Sequence, residues 1–537
     1  MKKILFIIFF FYNLSPSFAQ KEGNIWCFGD SALIDWNDPQ NPTLGRSSVD
    51  SRGSCTSIAD SEGNLLFYMA NVSGAGTDAF INCTDTFQTY EQGYIYNKNN
   101  LRMENGQCIS GEGWYDEHTI IPMPGNDSLY YKFSVNLYDH PGIDYCTIDM
   151  KANGGLGKVI ERDVSVITYP DIGLAPVAWF IKAIKHGNGR DWWVIAKTSR
   201  FNFETGDDLY FVLILVRPEG ITVQNIPITG PFCETGFSRG YFSQDGTKYL
   251  DLCPTYPNGD LVVYDFDRCT GVLSNQRLVD TTSYLDPEED RGNLYWASCF
   301  SPNNRFLYVS ANTLTCDTMY AVFYLLQYDL NDPTPALTKD TIDVTYIQNT
   351  NFYRSAGDLK VAPDGKIYYG RSIKSCGEYA WPYPDSWYHP WNMNLSVINE
   401  PDSAYPACNF TPYSFYLGGA RTYLGLPNNP NFALGAVADS CNTPSALKPI
   451  VSYNNNDLNI FPNPCVNSCQ VQYKPALSIG KIAICNMQGK IVFSDENIPV
   501  TLIQHGYEIN LTALAKGIYF VTLETEKESV TKKIVKM

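Results

Sequence analysis

A tight turn of Asp, Asn and Gly, set between an apolar run and a run dense in Tyr, Phe, Leu and Val, recurs six times. The copies are SIADSEGNLLFY (57–68), PMPGNDSLYYKFSV (122–135), AIKHGNGRDWWVIA (183–196), YFSQDGTKYLDL (241–252), CFSPNNRFLYVS (299–310) and VAPDGKIYYG (361–370). These turn residues tolerate the positive φ that tight hairpins require, so each copy predicts a hairpin. With Asp60, Asp127, Asn188, Asp245, Asn303 and Asp364 as turn centres, the spacings are 67, 61, 57, 58 and 61 residues. A regular period of this length in a β-rich chain predicts a propeller, with one four-stranded blade per repeat.

A third strand follows several of the hairpins, as in YCTIDMKANGGLG (145–157), LVVYDFDRCTGVLS (261–274), FYLLQYDLNDPTP (323–335) and LSVINEPD (395–402). Six units are visible, and residues 21 to 440 have room for seven. NIWCFGDSALIDWN (24–37) reads as a strand-turn-strand lacking its first partner, and RTYLGLPNNPNF (421–432) is placed to supply it. Joining the two ends removes open sheet edges. The fold class expected is all-β: a seven-bladed β-propeller over 20–442, with six or eight blades as the alternatives. Aromatic residues at 14%, with 37 Tyr among them, agree with strands over helices.

The formal charge of −17 opposes nucleic-acid or anionic-membrane binding by bulk electrostatics. Lys2 and Lys3, the apolar run Ile4 to Leu14 and the small-x-small Ser17-Phe18-Ala19 predict a signal peptide over 1–19. No later stretch reads as a transmembrane segment. Sixteen Cys in a chain with an export signal point to disulfides, and no Cys or His spacing suggests zinc. Thirteen Cys precede residue 442 and three follow, so each part holds at least one thiol that is free or pairs across. Cys465 and Cys469 are the expected local pair.

Residues 443–456, TPSALKPIVSYNNN, read as a linker. Beyond them, at 457–537, short alternating strands predict a small immunoglobulin-like β-sandwich. This block opens with Phe461, Pro462, Asn463 and Pro464. It continues through ICNMQGKIV, with Gly489, and INLTALAKGIYFVTL, with Gly517 and Tyr519, to the Lys-rich KKIVKM. In that order it resembles the type A C-terminal sorting domain of the Bacteroidota type IX secretion system. The resemblance implies cargo that meets the type IX machinery and reaches the medium or the outer cell surface. The cysteines of this block do not belong to the usual motif. The NIWCFG opening, GGLGKV (154–159) and the APDGKIYYG blade are similar to propeller passengers of such surface proteins, a family without assigned chemistry.

Sites are sparser. GFSRG (236–240) fits G-x-S-x-G around Ser238, but strands flank it where a nucleophile elbow needs a strand, a turn and a helix. YDEHTII (115–121) brings Asp116, Glu117 and His118 together at a blade edge. YLDPEEDRG (284–292) is the one loop acidic enough for Ca²⁺, without EF-hand spacing, and no other metal or cofactor is expected. Asp-Ser/Thr pairs such as Asp340-Thr341 resemble the Bacteroidota O-glycosylation sequon. EYAWPYPDSWYHPW (378–391) is the most unusual segment. Its Trp381, Tyr383, Trp387, Tyr388 and Trp391 are candidate ligand-binding rings, stiffened by Pro. The function expected is a non-enzymatic adhesion module for a glycan or a surface protein. The alternative is a propeller hydrolase acting on polysaccharide or peptide, and no catalytic residue is assigned.

Overall fold

The structure is a computed structural model. It describes residues 20–537 except 74–90, 112, 138–140, 169–176, 199–208, 229–237, 254–257, 284–292, 314–319, 349–352, 355, 375–382, 385, 438–440, 442–457, 474–478, 487–490, 500–505 and 526–528. The signal-peptide region, the acidic loop 284–292, Trp381 and Gly489 lie outside the described residues.

Each predicted turn forms for the reason its residues suggest. Positive φ falls on Gly63, Gly125, Gly189, Gly246, Asn304 and Gly365. A side-chain carboxylate or amide accepts the backbone N–H two residues on: Asp60 from Glu62, Asn126 from Ser128, Asn188 from Arg190, Asp245 from Thr247, Asn303 from Arg305 and Asp364 from Lys366. In the second repeat the turn is therefore centred on Asn126, one residue ahead of the expected Asp127.

Each of these six hairpins lies in its own antiparallel sheet, and a seventh sheet precedes them at the N-terminal end. Blade 1 comprises Ile25–Phe28, Asp30–Asp35 and Thr43–Asp50; blade 2 comprises Cys55–Ala59, Leu65–Ser73 and Glu91–Asn97. Blades 3 to 6 have four strands each, beginning at His118–Pro122, Lys182–Lys185, Arg239–Phe242 and Asn293–Phe300. Blade 7 comprises Leu359–Val361, Ile367–Tyr369, Asn394–Ile398 and Phe410–Tyr416. The first strands of blades 2 to 7 contact one another in succession and surround a central channel. The fold is thus all-β with seven propeller sheets.

Apolar faces pack blade against blade. Trp26 and Trp36 of the first sheet meet Tyr368 of the seventh, the Trp36–Tyr368 centroids lying 4.9 Å apart edge to face. Phe415 stacks on Trp36 at 5.8 Å. Ion pairs bridge neighbouring blades at several joints: Lys182–Asp116 at 3.0 Å (4 to 3), Lys197–Asp251 at 2.6 Å (4 to 5), Lys339–Asp280 at 2.9 Å (6 to 5) and Arg371–Asp343 at 2.9 Å (7 to 6). Lys197 and Asp251 are almost fully buried, so loss of either partner strands a charge in the core.

The ring closes through residues 421–441. Arg421 and Asp30 exchange backbone hydrogen bonds at 2.8 and 3.2 Å, and Arg421 Nε donates to the Asp30 carboxylate at 2.6 Å. The segment then runs antiparallel to Ile25–Phe28 as far as Asn429, whose amide reaches Ile25 O at 3.5 Å. It occupies the place the sequence predicts for it, but it forms no ladder. Pro427 and Pro430 lack N–H donors, and the segment is held by scattered backbone hydrogen bonds, such as Leu424 N to Arg52 O and Asn428 N to Cys55 O, together with side chains. At its far end Cys441 is disulfide-bonded to Cys269 of blade 5. Cys108 and Cys253 are each engaged in a disulfide as well.

The C-terminal block stacks Leu458–Phe461, Ser468–Tyr473 and Tyr507–Asn510 against a four-stranded sheet ordered Ile491–Pro499, Ile479–Asn486, Gly517–Thr525, Ser529–Lys536. Asn463 clasps the last strand, donating to Lys533 O and accepting from Val535 N, both at 2.9 Å. Tyr519 is buried and donates its hydroxyl to Ala515 O. Phe461 stays exposed, Pro462 and Pro464 flank Asn463, and Gly517 opens its strand. The expected Cys465–Cys469 disulfide is not formed. Both thiols are free and buried, and Cys465 is held by a bridge to Lys536 with its Sγ directed at Val535 O.

The Cys269–Cys441 bond closes a loop of 172 residues across blades 5 to 7. Cys441→Ser is expected to lower stability by about 2–4 kcal/mol, read from urea denaturation of the oxidised protein. An unchanged midpoint would show that the segment is held without it.

Candidate functional site

In blades 4 to 7 the residues six and four positions ahead of the turn residue, on or beside the innermost strand, are Lys182 and Ile184, Arg239 and Tyr241, Ala297 and Cys299, Asp358 and Lys360. Ile184 and Ala297 pack into apolar clusters between blades, and the others bring polar groups to the channel. Asp116 joins them from the start of blade 3. Lys182 Nζ pairs with Asp116, donates to Asn428 Oδ1 at 2.9 Å and lies 4.9 Å from the Tyr241 ring centroid. Further along, Arg239 stacks 4.4 Å from Tyr115 and 5.2 Å from Trp296.

Asn428 anchors the closing segment. Its amide nitrogen lies 2.7, 2.8 and 3.2 Å from the carbonyls of Ile181, His118 and Asp116, and its backbone N–H donates to Cys55 O. Asn429 Oδ1 accepts from Ser57 N at 2.8 Å, and Asn429 O accepts from Lys360 Nζ at 3.0 Å. Beyond Pro430, Lys185 donates to Phe432 O and Arg268 to Gly435 O.

Above this segment, at the hairpin end of the channel, lies a cavity of about 580 Å³. Pro427 to Ala433 line one wall. Trp26, Tyr241, Phe300 and Phe432 supply rings, and Asn24, Gln244 and Asn431 supply amides. Its ionisable lining is Lys21, Lys182, Lys360, Asp358 and the Cys299 thiol. Burial, reinforced by Asp116, pushes the Asp358 carboxyl up to about 6, against hydrogen bonding from Leu426 N. Burial, with Lys182 nearby, brings the Lys360 ammonium down to about 8. Burial likewise raises the Cys299 thiol to about 12, so it stays protonated at neutral pH. Among the described residues no group of three His, Cys, Asp or Glu is arranged to hold a metal ion.

Of the residues singled out in the sequence, Asp116 stands in the channel against Lys182, and the others fall elsewhere. Glu117 accepts Tyr115 N at 2.7 Å and His118 Nε2 meets Asn71 Oδ1 at 2.6 Å, both buried and outside the cavity lining. Ser238 is buried directly ahead of an innermost strand, so it stands on no strand-turn-helix elbow. Tyr383 is buried, stacked on Tyr423 at 4.1 Å, with its hydroxyl accepting from Ile373 N and donating to Thr422 O. Trp387 and Trp391 are partly buried against the same cluster. Tyr388 is 54% exposed, with the Arg421 guanidinium 4.4 Å from its ring. The channel residues carry no local motif. Only alignment of the repeats on their turn residues reveals them.

The Asp358 shift has a measurable sign. Its folded value lies above the unfolded one, so its stabilising contribution is full below about pH 4 and is lost as pH rises through about 6. Asp358→Asn is expected to gain about 3 kcal/mol relative to the unmodified protein between pH 4 and pH 8. A pH-independent difference in denaturation midpoints would contradict this.

Comparison with known proteins bears mainly on the C-terminal block. Residues 459–537 match the family described as secretion system C-terminal sorting domain. No curated protein matches the chain. Among solved structures the chain is similar to a functionally unknown protein from Desulfotomaculum acetoxidans (10% identity, 75% of this chain and 98% of that one, TM-score 0.36). It is also similar to apo AztD from Citrobacter koseri (12%, 75% and 96%, TM-score 0.33). A third is PorZ of Porphyromonas gingivalis, a surface component of the type IX secretion system (10%, 96% and 74%, TM-score 0.19). Likenesses this weak carry no weight for function. The sorting domain implies handling by the type IX machinery and delivery to the cell surface or the medium. Residues 459–537 are a secretion system C-terminal sorting domain, and the chain is type IX secretion cargo with a β-propeller ahead of that domain.

Proposed function

We propose that the propeller is a non-enzymatic binding module, matured by removal of residues 1–19, and that it captures a glycan in the channel-end cavity. The observation that carries this reading is the lining. The Gln244 side-chain amide offers a paired donor and acceptor to hydroxyls, with Asn431 held beside it by Gln244 O and Ala433 N; aromatic rings offer faces to C–H surfaces, and about 580 Å³ suits a mono- or disaccharide. The hydrolase alternative draws on Asp358 alone. It is the single carboxylate among the described lining residues, whereas glycoside hydrolysis by the usual route needs two. A second binding reading, a protein partner docking on the aromatic loop, draws on the exposed Tyr388 beside Arg421.

Glycan-array binding by the full chain tests the proposal. Gln244→Ala is expected to weaken the best ligand about fivefold to tenfold by isothermal titration, the worth of one lost hydrogen bond. A Trp381→Ala/Trp387→Ala variant is expected to bind as before; loss of binding there would move the site to the loop. Release of reducing ends that disappears in Asp358→Asn would overturn the non-enzymatic reading. Deletion of 459–537 is expected to hold the propeller behind the outer membrane, scored by surface proteolysis of intact cells.

A further inference from the structure

The charge of the cavity runs against that of the chain. Acidic residues outnumber Lys and Arg by 56 to 39 over the whole sequence. In the cavity lining the balance inverts, with Lys21, Lys182 and Lys360 against Asp358 alone. Lys185 and Arg268 add two further cations along the closing segment, both engaged with its carbonyls. An inversion of this kind in a concave site focuses a positive potential on whatever enters.

The two deeper lysines differ in how they are satisfied. Lys182 is shared between Asp116 and Asn428 Oδ1, which neutralises it. Lys360 has one hydrogen-bond partner among the described residues, the neutral carbonyl of Asn429. An ammonium has three donors, so Lys360 keeps two for a ligand. Asp358, Lys182, Cys299 and, more deeply, Asp116 are the ionisable groups around it. Trp26 offers a ring 5.8 Å from the same nitrogen. A cation, a ring and amides side by side suit a sugar that carries an acid group.

Taking the cavity as the glycan site proposed above, we infer that its ligand is an acidic sugar whose carboxylate is bound by Lys360. The depressed ammonium gives the inference a pH signature. A bound anion stabilises the protonated form, so affinity holds below about pH 8 and falls above it, by up to tenfold per pH unit. Protonation of Asp358 below about pH 6 removes the one opposing lining charge and strengthens binding of a ligand that is still ionised.

Isothermal titration of the full chain with D-galacturonate, D-glucuronate and digalacturonate, against galactose, glucose and acetate, tests this. At least one uronate is expected to bind tenfold or more tightly than its neutral counterpart and than acetate, with the pH profile above. Lys360→Met is expected to abolish that preference and the loss above pH 8, while Lys360→Arg retains the preference. Equal affinity for acidic and neutral sugars would overturn the inference and leave the glycan site standing. Acetate binding as tightly as a uronate would overturn the sugar half of it. Binding of neither class by folded protein would remove the cavity reading and the inference with it. The comparison of ligands on the unmodified protein decides the matter even where the Met variant fails to fold.

Discussion

The side-chain amide of Asn428 stands where a strand's hydrogen-bond ladder would otherwise be. A channel walled by innermost strands presents backbone carbonyls that must be satisfied away from bulk water. Those of Ile181, His118 and Asp116 converge on one amide group, and that group also accepts from Lys182. Asn429 does the same for the first two blades, through Ser57 and Ile25. Two consecutive Asn therefore join blades 1 to 4, and the flanking Pro residues keep the segment extended without demanding partners for their own nitrogens.

Charge placement follows from that arrangement. Inter-blade ion pairs lie at the joints, and each couples one carboxylate to one cation, so rotation of a blade out of register would strand a charge. The channel is the exception. Asp116, Asp358, Lys182, Lys360 and Arg239 crowd together, and burial displaces two of them, the Asp358 carboxyl up and the Lys360 ammonium down. Groups displaced in this way hold electrostatic free energy that a ligand of suitable charge can release.

The architecture was legible because one stereochemical demand repeats. A positive φ in each hairpin restricts the residue to Gly or Asn, and this signal survives complete divergence of the strands around it. The sorting domain was legible from the order of its short motifs. The channel-end cavity was not. Its described lining comes from blades 1, 4, 5, 6 and 7 and from the closing segment, in residues of different types, and Lys182, Tyr241, Cys299 and Lys360 resemble nothing until the turns are superimposed. The facing of the aromatic loop was hidden for the converse reason. Composition counts rings without their facing, and Tyr383 turns inward to hydrogen-bond Thr422 while Tyr388 turns out. Cysteine spacing was silent on connectivity, since Cys441 reaches back to Cys269 and not to a neighbour.

The last propeller segment, in which Arg421 and Asn429 bond to Asp30 and Ile25, also closes the first blade. A chain threaded N-terminus first across a membrane therefore presents six finished blades and an unfinished first one until that segment has emerged. Up to that moment the ring is an open arc with two exposed ends. The sorting domain follows immediately, so by the time it has emerged the stretch that shuts the arc is already on the same side of the membrane. Chain order thus makes completion of the passenger and presentation of its address label successive events.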